Sequence, residues 1–243
     1  MFRALKNISF LFLIFGIASC GSTATTTPTQ CVANPDQAAL FKGHWAVKPI
    51  PLAVEATDFA PSELVAIEAA IGTWNTFFST SKGFKLFLSA GAPLSTVSGG
   101  TRITSATACA QAVVNSSGFT NTIKIFKTKS AWTYGTQIMA LTSLCPVVIP
   151  QAQFRVFVAA VMEVNFQNYF AAGTPQPDLQ SIVTHELGHM LGLDHSCNGS
   201  ACNNAPSDYT AAMMYPALGF NGLYGDVKQQ LQTNDEERAN CLY

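Results

Sequence analysis

Three of the four histidines of this sequence stand in one short segment, at spacings that suit metal ligands. His185 and His189 are four residues apart, and Glu186 directly follows the first of them. Residues four apart on an α-helix are rotated by only about 40° and rise about 6 Å, so they project from one face and can hold one ion. Glu186 points slightly to the side of that face. From there its carboxylate can take a proton from a water activated by the ion.

Gly192 and His195 predict how a third ligand reaches the same ion. Glycine most readily adopts the left-handed conformation that ends a helix, and Gly192 stands three residues after His189. The turn would bring His195 back to the ion. Three neutral nitrogen ligands leave one position of a tetrahedral zinc ion to water, as in catalytic sites. A surface helix can carry an isolated H-E-x-x-H pattern by chance, but the added glycine and third histidine favour a zinc site.

The segment 185–195 has the pattern H-E-x-x-H-x-x-G-x-x-H, which resembles the zinc-binding motif of the metzincin metallopeptidases. The residues that follow it are similar to the matrixin branch of that group. Ser196 after the third histidine is matrixin-like, and Met214-Tyr215-Pro216 resembles the matrixin Met-turn. Other branches place one residue between the methionine and the tyrosine, which would select Met213. The resemblance implies that Met214 forms an apolar floor beneath the histidines and does not bind zinc.

Two departures from the matrixin pattern affect the expected cofactors. The segment between His195 and Met214 is longer than matrixins usually have. The histidines that hold a second, structural zinc in many matrixins have no counterparts, because only His44 remains, and His44 is predicted to be a surface or strand-edge residue. We therefore expect one catalytic zinc ion. Calcium sites are not assigned, because the acidic residues form no recognisable binding loop.

The pattern of apolar and turn residues along the rest of the chain predicts a mixed sheet with helices packed on it. A helix beginning at Ser62 is indicated by apolar residues at spacings of three and four, and a second helix is expected near Leu179. The last helix is predicted to begin with a capping box of Thr233 and Glu236. Branched and aromatic residues between turn residues predict strands at 46–55, 84–88, 123–127, 138–144 and 155–166. The stripe expected in the core comprises Leu64, Ile67, Ile71, Trp74 and Phe78.

The resemblance also implies a fold and an activity. The fold would be α+β, a zincin-like catalytic domain with a mixed, mostly parallel twisted sheet, two long helices and a C-terminal helix. The activity would be that of an endopeptidase acting on a peptide or protein, with Glu186 as general base. The peptide is expected to add as a strand to the strand near 156–165, and residues 215–220 to wall the pocket for the residue after the cut.

Two other functions stay open at this point. One is a zinc-containing envelope protein that binds a peptide or a partner without cutting it, although binding alone would not need Glu186. The other is a zinc amidase that acts on a substrate other than a protein.

The N-terminus is predicted to direct export. Arg3 and Lys6 precede an uncharged apolar run over residues 8–18, which is shorter than the about 20 residues of a membrane-spanning helix. We therefore predict a signal peptide over residues 1–19. Residues 17–20, Ile-Ala-Ser-Cys, resemble the lipobox of bacterial lipoproteins, which implies cleavage before Cys20 and attachment of lipid to it. A plain signal peptide cut near the same place is the alternative.

The remainder of the chain is predicted to be a tethered catalytic domain. Small polar residues without charge follow Cys20, so we predict a lipidated flexible tether over residues 20–39 and one domain over residues 40–243. Cleavage removes two basic residues, and 11 basic against 14 acidic residues leave a net charge of −3, which does not suggest nucleic-acid binding. We expect a monomer in the bacterial cell envelope, attached to a membrane by the lipid or secreted.

Six cysteines remain besides Cys20, and an even number in an exported chain favours disulfides. Cys197 and Cys202 flank a short polar segment and are the pair expected to close a local loop. Zinc ligation by this pair is the less favoured alternative, because no second pair stands nearby. Cys31 begins a segment that faintly echoes the cysteine switch of matrixins but lacks the preceding arginine, so a disulfide is expected there as well.

Overall fold

Six strands of the described chain form one sheet. The computed structural model describes residues 41–55, 58–88, 95–97, 122–148, 150, 154–171, 176–217 and 227–243. The strands are β1 (His44–Trp45), β2 (Leu52–Glu55), β3 (Ser95–Val97), β4 (Thr122–Thr128), β5 (Ala140–Val147) and β6 (Val156–Asn165). The helices are α1 (Pro61–Lys82), α2 (Leu179–Leu191), α3 (Ser207–Ala211) and α4 (Thr233–Leu242), with a 3-10 helix at Gly199–Asn204.

The sheet is mostly parallel. Its strand order is β1-β6-β4-β2-β3, all in parallel pairs, and β5 is the antiparallel member, paired with β6. Because Val164 and its neighbours pair with β4 and β5 at the same positions, those two strands lie on opposite edges of β6. The two long helices, the C-terminal helix and the mostly parallel sheet confirm the predicted α+β fold.

The core joins the two long helices to the sheet. Four residues of the predicted stripe are fully buried, namely Ile67, Ile71, Trp74 and Phe78, whereas Leu64 is partly buried. Two tryptophans also fix the position of α2. Trp74 donates its indole N–H to the Thr184 carbonyl at 2.9 Å, and Trp45 donates its own to the Met190 carbonyl at 2.7 Å. Both bonds reach a buried carbonyl of the helix that carries the histidines.

Two helix starts differ from the predicted ones. α1 begins at Pro61, and the Glu63 carboxylate accepts the Ala60 N–H at 2.7 Å, so Ser62 does not start the helix. Proline at the first helical position loses no bond, because that N–H has no intrahelical partner. At the start of α4 the Asp235 carboxylate accepts the Gln232 N–H at 3.0 Å. The capping box of Thr233 and Glu236 was therefore wrong by one residue.

The predicted strand at 84–88 is also wrong, because it forms only an isolated bridge between Ile50 and Phe87. Buried Asn75 explains why this segment does not need a ladder of more residues. Its side-chain amide donates to the Phe87 carbonyl at 3.0 Å, and its amide oxygen accepts the Phe87 N–H at 2.8 Å. A side chain of α1 thus satisfies the backbone groups that a neighbouring strand would otherwise pair.

The N-terminal predictions lie outside the described residues. These are the signal peptide, Cys20, the tether and the expected disulfide of Cys31. Across the part of the chain that the structure describes, no helix combines the length and the apolar character needed to cross a membrane.

Candidate active site

Helix α2 is fixed at both ends, which sets the positions of His185 and His189. At its start the Asp178 carboxylate accepts hydrogen bonds from the Ser181 N–H at 2.8 Å and from the Ser181 hydroxyl at 2.6 Å. At its end Gly192 adopts φ 117° and donates its N–H to the His189 carbonyl at 3.0 Å. The helix therefore stops where the sequence predicts.

Gly192 is required by a neighbour as well as by its backbone conformation. A Cβ at this position would collide with the Gly43 carbonyl. The Lys42 N–H also donates to the Gly192 carbonyl at 2.7 Å, and Phe41 forms an antiparallel bridge to Leu193. The segment before β1 thus packs directly on the turn that leads from α2 to His195, and only glycine leaves room for it.

The structure brings His185, His189 and His195 together. Their ring centroids are 4.8 to 5.3 Å apart, and one potential ligand nitrogen from each ring lies within 4.8 Å of the others. Among the described residues, this is the one group of three or more side chains able to hold a metal ion. His44, in β1, is not part of it and has its Nδ1 3.3 Å from the Arg155 carbonyl.

Backbone carbonyls set the tautomers of two of these rings. The Nδ1 of His185 lies 2.8 Å from the Met213 carbonyl, and the Nδ1 of His189 lies 2.8 Å from the Leu193 carbonyl. Because a carbonyl only accepts, each Nδ1 carries the proton, and the Nε2 lone pair is left for a metal. Burial lowers the pKa of all three histidines, and for His185 the neighbouring His189 lowers it further. Neutral imidazoles are the form that binds zinc, so these residues fit the ion.

Glu186 is buried beside the histidines and points at a hydroxyl. Its Oε2 accepts a hydrogen bond from Thr142 Oγ1 at 2.6 Å. Burial raises the pKa of Glu186 to about 7, against the opposing effects of the Thr142 bond and of His195. A carboxyl group whose pKa lies near neutrality can both accept and release a proton at working pH.

Met214 packs against α2 at Gly188, between the first two histidines. A Cβ on Gly188 would collide with the Met214 sulfur and approach Trp74. Met214 is fully buried, as is Met213, whose carbonyl faces His185. The sulfur of Met214 therefore lies directly against the helix that carries the histidines, whereas Met213 contributes its backbone. Sequence reasoning missed Gly188, although a glycine inside a helix is itself a sign of close packing.

Asp235 holds the Met-turn (residues 213–216) through hydrogen bonds to its backbone. Sequence reasoning missed this role. Its two carboxylate oxygens accept the Met213 N–H at 2.7 Å and the Met214 N–H at 3.0 Å. Burial raises the pKa of Asp235, while its bonds to backbone N–H groups act in the opposite direction. Ser196 adds a further bond, because its N–H donates to the Met214 carbonyl at 2.7 Å. The C-terminal helix, the Met-turn and the residue after His195 are thus joined.

Arg238 supports the loop that carries His195. Its side chain is fully buried, and Nη1 donates to the Asp194 carbonyl at 3.0 Å. Its Nε donates to the Asn234 side-chain oxygen at 3.0 Å, one helical turn earlier. On the other side of the loop, the Asp194 carboxylate forms an ion pair with Lys42 at 2.6 Å. Nothing in the spacing of the sequence places Arg238 near His195, because the two residues are far apart in the chain.

A disulfide joins Cys197 and Cys202, as expected from their spacing. It closes the start of the segment between His195 and the Met-turn, where the 3-10 helix lies. Cys145 and Cys241 are each engaged in a further disulfide bond. Cys197 and Cys202 are consequently not zinc ligands, and the alternative use considered for them is wrong.

A cleft of about 590 Å³ runs past the histidines. Residues of β5 and of the segment before it line the cleft, as do Ile182 of α2 and, after the Met-turn methionines, Pro216 and Ala217. The predicted wall 215–220 is described only to residue 217. The expectation that a peptide adds to the strand near 156–165 is wrong, because β6 is paired along both edges. Within the described residues, β5 pairs only with β6 and lines the cleft.

The fold, the three neutral histidines and the buried glutamate define the class of zinc-dependent metallopeptidases. The chain belongs to the matrixin family, whose model matches residues 105–243. Among solved structures, it is similar to high choriolytic enzyme 1, a hatching enzyme zinc-protease from Oryzias latipes (medaka fish). The two are 14% identical, the alignment covers 86% of this chain and 97% of that chain, and the TM-score is 0.35. No curated protein matches the chain.

Proposed function

We propose that the chain is an endopeptidase in which His185, His189 and His195 hold one zinc ion and Glu186 is the general base. The convergence of three histidine nitrogens beside a buried carboxylate is the observation that carries this proposal. One ion is proposed because the described residues offer one such group of ligands. We assign no calcium site.

The chain's own residues account for proton transfer and orientation. When bound, zinc supplies a Lewis acid that polarises the scissile carbonyl and acidifies water. Glu186 takes a proton from the attacking water and afterwards gives it to the departing amine. The carbonyls of Met213 and Leu193 hold His185 and His189 in the tautomer that leaves Nε2 free, so the ligands need no rearrangement.

Strand β5 is the proposed site of substrate binding. Residues of β5 line the cleft, and β6 is its one partner strand among the described residues, so an extended peptide can add to its other edge by main-chain hydrogen bonds. Binding of that kind places a peptide bond in the cleft between β5 and α2. We further propose that Met214 is the apolar floor of the site, with Tyr215 and Pro216 completing the Met-turn, because its sulfur fills the space over Gly188.

The location of the enzyme is part of the proposal. We propose a signal peptide over residues 1–19, a lipid on Cys20, a tether over residues 20–39 and a catalytic domain over residues 40–243. The charge pattern before the apolar run and the lipobox-like residues 17–20 support it. The protein would then be a monomer held at a membrane of the bacterial envelope by its lipid.

Incubation with casein, gelatin and a peptide library, with and without a chelator, tests the activity. The proposal expects internal cleavage of at least one of these substrates, abolished by the chelator and restored by zinc. Zinc binding without cleavage of any of them, in a folded protein, would contradict it. That result would favour a binding protein, or an amidase if small non-protein amides were hydrolysed instead.

A further inference from the structure

Thr142 connects the proposed substrate strand to the proposed general base. It lies in β5, lines the cleft and is half-buried. Its hydroxyl donates to Glu186 Oε2 at 2.6 Å, a short bond of the charge-assisted kind. The same hydroxyl lies 3.4 Å from the Glu186 carbonyl. A side chain of the strand therefore reaches across the cleft to α2.

This bond distinguishes the two oxygens of the Glu186 carboxylate. With Oε2 accepting from Thr142, Oε1 is the oxygen left to take a proton from water. A glutamate side chain has several rotatable bonds, and a fixed acceptor position reduces the number of conformers from which the reaction can start. The Thr142 hydroxyl keeps its own proton throughout. The transferred proton goes from water to Oε1 and from there to the leaving amine.

We infer that Thr142 is a positioning residue that holds the Glu186 carboxylate so that Oε1 faces the attacking water. The inference rests on the proposed function, in which Glu186 is the general base. Because Thr142 belongs to β5, the strand proposed to bind the substrate backbone also orients the base. A shift of this strand would change both peptide binding and proton transfer.

Two substitutions at this position separate the hydroxyl from the shape of the side chain. Thr142→Val keeps the branched shape and removes the donor, whereas Thr142→Ser keeps the donor and removes a methyl group. Thr80→Val is the matched control, because it makes the same change at an exposed position of α1 that does not line the cleft. Each variant is prepared as the zinc-loaded full chain, beside the wild type and Glu186→Gln.

The measurements are kcat, KM, zinc content, melting temperature and the infrared carboxylate band that Glu186→Gln lacks. Thr142→Val should lower kcat about tenfold to a hundredfold, the range expected for a lost hydrogen bond to a charged group. Its KM, zinc content and melting temperature should stay near the wild-type values. The Glu186 band should shift in Thr142→Val and stay in place in Thr142→Ser and Thr80→Val, which should both keep most of the activity.

Three results would overturn the inference. They are a wild-type kcat in Thr142→Val, an equal loss of kcat in Thr142→Val and Thr142→Ser, and a loss of activity that merely follows lost zinc or lost stability. Full activity of zinc-loaded Glu186→Gln would instead contradict the proposed function. The Thr142 variants and Glu186→Gln therefore test the positioning role of Thr142 and the proposed function separately.

Discussion

Single residues of the site are constrained by the backbone around them as much as by one another. His185 and His189 each donate Nδ1–H to a carbonyl, Glu186 accepts from Thr142, and Gly192 makes room for Gly43. The three hydrogen bonds each restrict a side-chain rotamer or a protonation state, and Gly192 allows the close approach of the backbone at Gly43. The site is thereby organised before substrate arrives, which lowers the reorganisation needed during the reaction.

The contact between Gly192 and Gly43 predicts an unusually large effect of a small substitution. Gly192→Ala should destabilise the protein by about 2–5 kcal/mol, because a strained positive φ and a collision with backbone act together. Gly83→Ala is the matched control: Gly83 ends α1 at φ 76° but would place its Cβ in open space, so about 1 kcal/mol is expected. Chemical denaturation measures both, and equal losses would show that the Gly43 contact is unimportant.

Sequence reasoning found the residues that stand together in the chain and missed those that meet only in space. Spacing alone indicated His185, Glu186, His189, Gly192 and His195. Thr142, Asp235 and Arg238 each contact this segment or the Met-turn from elements far away in sequence. No local periodicity encodes such a contact, because it depends on how β5 and α4 are placed against α2.

Whole elements of the fold act on the site through few contacts. Helix α4 reaches the Met-turn through Asp235 and the His195 loop through Arg238, and these two side chains lie 3.8 Å apart. Helix α2 accepts one indole hydrogen bond from Trp74 of α1 and one from Trp45 of β1. The short C-terminal helix is thus coupled to two parts of the site that the sequence separates.

Removal of the Asp235 carboxylate should weaken both the fold and the Met-turn. Asp235→Ala leaves the N–H groups of Met213 and Met214 buried without an acceptor, so a loss of about 3–5 kcal/mol in unfolding free energy is expected. Asp208→Ala removes an exposed carboxylate at the start of α3 and should cost less than about 1 kcal/mol. Denaturant titration compares them, and a similar small effect of both substitutions would contradict the role given to Asp235.

The long helices were predictable because their apolar residues follow the helical period over many turns. The helix starts were shifted by one or two residues, because several nearby side chains could each have been the cap and only the backbone decides between them. The role of β6 was misjudged for a different reason. Its apolar sequence fits a strand, but whether a strand lies inside a sheet or at its edge depends on pairing partners elsewhere in the chain.

For the molecule as a whole, metal binding and stability should be linked, because the zinc site forms only in the folded chain. A chelator should lower the melting temperature by about 5–10 °C, as expected for an ion bound well above its dissociation constant. His44→Ala should show the same shift, whereas His195→Ala, which lacks a proposed ligand, should show little. Differential scanning calorimetry measures these shifts. Equal shifts in the wild type and in His195→Ala would contradict the ligand assignment.

The proposed lipid anchor predicts how the mature protein distributes between phases. Wild-type protein should enter the detergent phase of a Triton X-114 separation, and Cys20→Ala should stay in the aqueous phase or remain unprocessed. Mass spectrometry of the N-terminal peptide should find Cys20 carrying a lipid. A mature N-terminus at or near Cys20 without added mass would favour the plain signal peptide.

Zinc-loaded Glu186→Gln separates metal binding from proton transfer in one experiment. The substitution keeps the shape of the side chain and all three histidines, and it removes the carboxylate that we propose accepts the proton. Elemental analysis and peptide hydrolysis are measured on one preparation of the variant and of the wild type. We predict one zinc per chain in both, with hydrolysis by the variant at least about a hundredfold slower. Wild-type hydrolysis by a variant that holds its zinc would contradict it.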